Sequence, residues 1–162
     1  MNIYKEDVLK AKERFKVWWD HEILDRPCIS YFRPKPDEYF KGIYDLWYLA
    51  KHWDDFEGVV NDYEEKSKAL YFGAETIPWF WPNYGPGIMA AIFGVTPKFE
   101  SQTVWFRKPV SLEKIVNVLE GAKLNRNNEW YDRLLNITEF AAKKLGQNFS
   151  IALTDLGGIL DI

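Results

Sequence analysis

Four side chains in this sequence are of types, and in settings, that could carry chemistry. Asp155 follows Phe149-Ser150-Ile151-Ala152-Leu153, a run with the composition of a buried strand, and Gly157-Gly158 behind it would let a ligand approach the backbone. A carboxylate leaving such a strand can carry or accept a proton. The plainer reading is an Asx turn or a helix cap. Asn83 and Tyr84 lie in Trp81-Pro82-Asn83-Tyr84-Gly85-Pro86-Gly87, where two prolines remove backbone donors and two glycines admit positive φ. In a loop that stiff, an amide and a phenol could orient a ligand, or the stretch could be a structural turn. Arg33, in Tyr31-Phe32-Arg33-Pro34-Lys35-Pro36, could offer charge to an anionic group or be an ordinary surface charge.

Other reactive types form no pattern. His21, His52 and Cys28 do not have metal-ligand spacing, so no metal is assigned, and a single cysteine excludes an internal disulfide framework. Trp79, Phe80 and Trp81 could wall a pocket for a flat ligand, although alternate residues of a strand must face away from it. Aromatic residues make up 17% of the chain and eight are Trp, which suits a thick core, a lined pocket or an interface. A net charge of −3 with no Lys/Arg stripe argues against a nucleic-acid grip. No apolar run approaches the roughly 18 residues that signal a membrane span. The start, Met1-Asn2-Ile3-Tyr4-Lys5-Glu6-Asp7, has no apolar signal core, so a cytoplasmic protein with no membrane partner is expected.

The elements that must position these residues follow from periodicity. Tyr4 to Ile23 reads as a helix, broken by Asp25-Arg26-Pro27, and Cys28–Phe32 reads as a strand. Ile43 to about Tyr71 is helical with an interruption near Gly58. Glu75–Phe80 is a strand entering the Pro/Gly loop, and Ile88–Phe93 is a short helix. Thr103–Phe106 is a strand, Ser111 caps a helix over Leu112–Leu119, and Asn128–Leu145 is the clearest helix, stopped by Gly146. Phe149–Leu153 is the last strand. With 162 residues and 47% hydrophobic content, a single domain of α/β class with parallel strands is predicted.

Four stretches taken in order resemble the uroporphyrinogen decarboxylase superfamily. They are Arg26-Pro27-Cys28-Ile29, the Asn83-Tyr84-Gly85-Pro86-Gly87 loop with its Ala-Ala-Ile-Phe-Gly helix, Thr103-Val104-Trp105-Phe106, and Thr154-Asp155-Leu156-Gly157-Gly158. The resemblance implies a (β/α)₈ TIM barrel with extra N-terminal helices. Such barrels take about 250 residues, so the chain would be the N-terminal portion, a partial barrel. Cys28–Phe32, Glu75–Phe80 and Phe149–Leu153 would then be parallel strands of one sheet. Arg33, Asn83, Tyr84 and Asp155 would converge on one rim. Open strand edges would favour a homo-oligomer.

The resemblance also implies an enzyme acting on a small-molecule substrate. In decarboxylases of the family an arginine-rich loop after the first strand binds substrate carboxylates, and an aspartate near the second strand sits under the pyrrole nitrogens. Here the loop offers only Arg33 and Lys35, and the aspartate position falls at about Ile77. Methyl transfer with a corrinoid protein partner is therefore favoured over porphyrinogen decarboxylation. The methyltransferase relatives use zinc bound by a His-x-Cys and a distant Cys. This chain lacks that pattern, so a zinc or corrinoid group would belong to a full-length protein. A non-catalytic fragment or binding module is the remaining alternative.

Overall fold

The structure, a computed structural model, describes residues 2–36, 38, 48–100, 103–106 and 127–156. The expected helix at Leu112–Leu119 with its Ser111 cap, and Gly157-Gly158, lie outside the described residues. Contacts divide the chain into two compact units. One comprises Met1–Tyr44, Val60–Phe80 and Ala141–Ala152; the other comprises Asp45–Val59, Trp81–Phe140 and Leu153–Ile162.

In the first unit, α1 spans Val8–Trp19 and buries Ala11 and Arg14 on one face. The helix stops four residues short of the Ile23 predicted from periodicity. His21 adopts a left-handed φ of 60°. Its N–H donates to the Trp18 carbonyl at 3.0 Å and the Glu22 N–H to the Val17 carbonyl at 3.1 Å, the paired bonds of a Schellman ending. Glycine is the usual residue there, because a Cβ in the left-handed region costs roughly 1–2 kcal/mol. His21→Gly is therefore expected to raise the unfolding free energy by about 0.5–1 kcal/mol, once the floppier unfolded chain is counted. Urea denaturation checks it.

Strand β1 (Ser30–Pro34) runs antiparallel to β2 (Leu70–Ala74), with Tyr31 opposite Gly73 and Pro34 opposite Leu70. Gly73 has a physical reason: a Cβ there would run into the Tyr31 ring. All five β1 residues are exposed, which makes it an edge strand able to tolerate Pro34. Strand β3 (Trp79–Phe80) pairs in parallel with β6 (Ser150–Ile151), Trp79 against Ser150 and Phe80 against Ile151. The ladder extends by Ser150 N–H to the Pro78 carbonyl and Ala152 N–H to the Phe80 carbonyl, each 2.8 Å. Tyr63, Phe80 and Phe149 pack edge to face around this pair, with centroids 5.1 and 6.1 Å from Tyr63. Lys5, though buried, stays paired: its Nζ reaches the Ala74 carbonyl at 2.5 Å and Asp7 at 2.7 Å.

The second unit holds α2 (Tyr48–Lys51), α4 (Ile88–Ile92) and the antiparallel pair β4 (Pro97–Phe99) and β5 (Val104–Phe106). Two longer helices have residues in both units. In α3 (Phe56–Ser67) the first turn is capped by Asp55, whose Oδ1 accepts the Gly58 N–H at 2.9 Å. In α5 (Glu129–Leu145) Asn128 caps the start, its Oδ1 accepting the Trp130 N–H at 2.8 Å. Ile137, Ala141 and Leu145, each at most 1% exposed, form the inward stripe of α5 at four-residue spacing.

The barrel expectation is overturned. The described strands form three separate two-stranded sheets, and the helices between them are mostly short. Of the expected parallel pairing of Glu75–Phe80 with Phe149–Leu153, only Trp79–Phe80 against Ser150–Ile151 is strand. Cys28–Phe32 does not join it; this strand lies antiparallel to Leu70–Ala74 in a sheet of its own. Val104–Phe106, within the expected Thr103–Phe106 strand, is likewise antiparallel, paired with Pro97–Phe99, and the Glu100 N–H donates to the Thr103 carbonyl at 2.9 Å.

Candidate functional site

The parallel pair decides where two of the predicted segments begin. Phe80 and Ile151 are register partners, so the Trp81–Gly87 loop and the Thr154–Asp155 segment leave adjacent strands at the same end. Asn83 is 7% exposed, and its Oδ1 accepts the Gly85 N–H at 2.9 Å, closing a tight turn in which Gly85 sits at φ 104°. That bond gives Asn83 a structural task in shaping the loop. Gly87 closes the loop against Phe106, whose ring occupies the place a Cβ would take.

Tyr84 is fully buried, its ring edge-on to Trp130 at 5.9 Å. Its hydroxyl has no hydrogen-bond partner among the described residues. Burial pushes the phenol up to about 12, only slightly opposed by Arg133, so it is a neutral donor at physiological pH. Around it lies an aromatic wall. Trp53 stacks on Phe99 at 6.1 Å and tilts against Trp130 at 5.9 Å, and the Arg133 guanidinium sits 4.5 Å from the Trp53 centroid. Arg133 also donates to the Trp53 carbonyl at 3.1 Å and to Glu129 at 2.6 Å, which fixes the cation over the rings. Thr154 repeats the Tyr84 anomaly: its Oγ1 is buried with no partner among the described residues. Asp155 beside it is half-buried and engaged.

An orphaned buried hydroxyl costs about 1–3 kcal/mol in the ligand-free protein. Tyr84→Phe removes only that oxygen. It is expected to raise the unfolding free energy by about 1 kcal/mol, measured by chemical denaturation without ligand. A loss of stability would show that the hydroxyl is satisfied by solvent instead.

Arg33 is placed differently. It lies within β1, in the antiparallel ladder of the first unit, and not after a parallel strand as expected. Its guanidinium lies 5.0 Å from the Tyr71 ring centroid, and its Nη1 donates to the Pro34 carbonyl at 3.1 Å. Asn83, Tyr84 and Asp155 belong to the second unit.

The densest cluster of charge was not anticipated. Glu75, expected as an ordinary strand residue, has a fully buried side chain and accepts from Arg14, Arg26 and the Ile29 N–H. Arg26 grips it with two bonds of 2.7 Å, and Arg14 with one of 3.1 Å. Arg14 turns its other edge to Asp25 in a bidentate pair of 2.8 and 2.7 Å. These residues are scattered from position 14 to position 75, so no local spacing announces them. The one available signal was an acidic residue inside an otherwise apolar strand-like run. Among the described residues no group of three or more His, Cys, Asp or Glu side chains is placed to hold a metal ion.

No protein-family model, no curated protein and no solved structure matches this chain.

Proposed function

We propose that this chain binds a small molecule as part of an enzyme of the uroporphyrinogen decarboxylase-like kind, and that its chemistry is methyl transfer with a corrinoid protein partner. The observation that carries the reading is the shared exit end of β3 and β6. Beyond the carboxyl ends of parallel strands, ligands meet residues far apart in sequence. The two segments emerging there, Asn83–Gly87 and Thr154–Asp155, are two of the four that carry the resemblance. Each also holds a buried hydroxyl without a partner among the described residues, on Tyr84 and Thr154. A ligand acceptor oxygen that reached either hydroxyl would satisfy it.

In this reading Asn83 shapes the loop, Tyr84 donates to a ligand oxygen, and Asp155 carries or accepts the proton. When the methyl leaves its heteroatom, the bonding pair stays behind, and Asp155 would relay a proton from solvent to balance the charge there. The methyl acceptor in this reading would be a reduced corrinoid carried by the partner protein, whose chemistry would be to take up the methyl group as a nucleophile. Methyl transfer is preferred to porphyrinogen decarboxylation because Arg33 and Lys35 make a thin carboxylate clamp. Both are exposed, and they already contact Tyr71 and the Lys68 carbonyl respectively.

The test uses free cob(I)alamin as acceptor and a panel of O-, N- and S-methyl compounds as donors, following loss of the Co(I) absorbance. Donor-dependent turnover with no release of carbon dioxide from uroporphyrinogen supports the reading. Decarboxylation without methyl transfer overturns it in favour of the lyase. A folded protein inert with every donor and with uroporphyrinogen overturns it in favour of a binding module.

A further inference from the structure

The Schellman turn that ends α1 borders a cavity of about 440 Å³ in the first unit, a size typical of small-ligand sites. Its wall combines three features. Trp18 and Trp19, 50% and 73% exposed, meet edge to face at 5.0 Å and present ring surface to the cavity rim. His21, held at a left-handed φ, brings an imidazole to the same wall. Arg26 brings a guanidinium.

The two arginines of the wall are not equivalent. Arg14 is 10% exposed and commits Nε, Nη1 and Nη2 to Asp25 and Glu75. Arg26 keeps 37% of its side-chain surface exposed and uses only Nη1 and Nη2, on Glu75 and the Pro27 carbonyl. Its Nε–H has no hydrogen-bond partner among the described residues, and Glu75 holds the guanidinium through both Nη atoms. A guanidinium and an imidazole beside two indole rings, with Glu22 the one acidic side chain in the lining, match a flat ring that carries a carboxylate.

We propose that this cavity is a binding site for a small aromatic carboxylate. Its ring lies against Trp18 and Trp19, and its oxygens accept from Arg26 and His21. The proposal uses residues of the first unit and the methyl-transfer reading uses Tyr84, Thr154 and Asp155 of the second, so each can fail without the other.

Cys28 lines the same cavity, is half-buried, and is the chain's single cysteine. Its alkylation rate therefore reports on this site alone. Iodoacetamide labelling would be followed with 1-naphthoate as ligand and 1-naphthalenemethanol as the uncharged control. The expected result is saturable protection of Cys28 by naphthoate, at least tenfold in rate, with the alcohol needing at least tenfold higher concentration. Trp19→Ala, a change at an exposed position that leaves the fold intact by circular dichroism, should weaken naphthoate binding about tenfold. Absence of protection, equal protection by the alcohol, or unchanged affinity in Trp19→Ala would each overturn the proposal.

Discussion

Glu75→Ala is expected to lower the unfolding free energy by about 3–5 kcal/mol, the range found when one partner of a buried ion pair is deleted. The carboxylate is fully buried and accepts four bonds, three from guanidinium nitrogens and one from the Ile29 N–H. Alanine leaves Arg14 and Arg26 near one another with no counter-ion between them, and leaves the Ile29 amide without its acceptor. Urea denaturation at neutral pH gives the number. The same cluster sets an acid limit. Burial alone would push the Glu75 carboxyl up, but the Arg26 bond, the Ile29 amide and Arg14 outweigh it and hold it below the usual 4.5. Asp25 is held at about 2, against an ordinary 3.8, chiefly by its Arg14 hydrogen bond. Both are depressed carboxylates, so their stabilisation is complete above the ordinary values and is lost as pH falls through the folded ones. The native protein should therefore lose stability steadily from about pH 4.5 toward pH 2, and Glu75→Ala should show a shallower slope over that interval. Equal slopes would mean that Glu75 titrates as it does in the unfolded chain.

That cluster also marks the limit of what one sequence discloses. Helix α5 was legible because every signal for it is local. Asn128 caps it, Ile137, Ala141 and Leu145 recur at four-residue spacing, Lys143-Lys144 suit the last turn, and Gly146 stops it. The segments Glu75–Phe80 and Phe149–Leu153 were legible as apolar runs bounded by breakers, but only Trp79–Phe80 and Ser150–Ile151 within them are strand, paired in parallel. Strand β2 was not. Tyr63 and Leu70 are seven residues apart, a helical repeat, and they drew the helix reading through a segment that is extended from Leu70 onward. What decides that segment is remote: Tyr31 packs on Gly73, and the Lys35 N–H bonds to the Ala69 carbonyl at 2.8 Å. The same contacts explain the lost barrel. Alternation of strands and helices predicts parallel neighbours when each crossover returns to the same sheet. Here the long connection from β1 returns antiparallel to it, in a separate ladder. The end of α1 was misjudged because the residue in the left-handed position is His21 and not glycine. In the site, the loop carrying Asn83 and Tyr84 was visible from its prolines and glycines, whereas the orphaned hydroxyl of Tyr84 is visible only once burial is known.

Asp155→Asn is expected to reduce turnover in the methyl-transfer assay by about 10²–10⁴-fold, the usual worth of a positioned proton donor or acceptor. The substitution separates the two readings of this residue. Asparagine keeps the size of the side chain and one acceptor oxygen, and it serves as well as aspartate in an Asx turn or a helix cap. It loses the charge and the capacity to carry a proton. A structural Asp155 would therefore leave both stability and turnover nearly unchanged. A catalytic one would leave stability and KM within a few-fold while kcat collapses, since the lost interaction belongs to the transition state. The surroundings favour the second outcome. Leu153, two residues earlier, is 88% exposed, whereas Thr154 has a buried hydroxyl with no partner among the described residues and Asp155 is half-buried beside it. Chain directly beyond a parallel strand, with hydroxyls left for something else to satisfy, is suited to meeting a ligand. Unchanged kcat in Asp155→Asn would reduce Asp155 to a turn residue and withdraw the proton-transfer role from this end of the sheet.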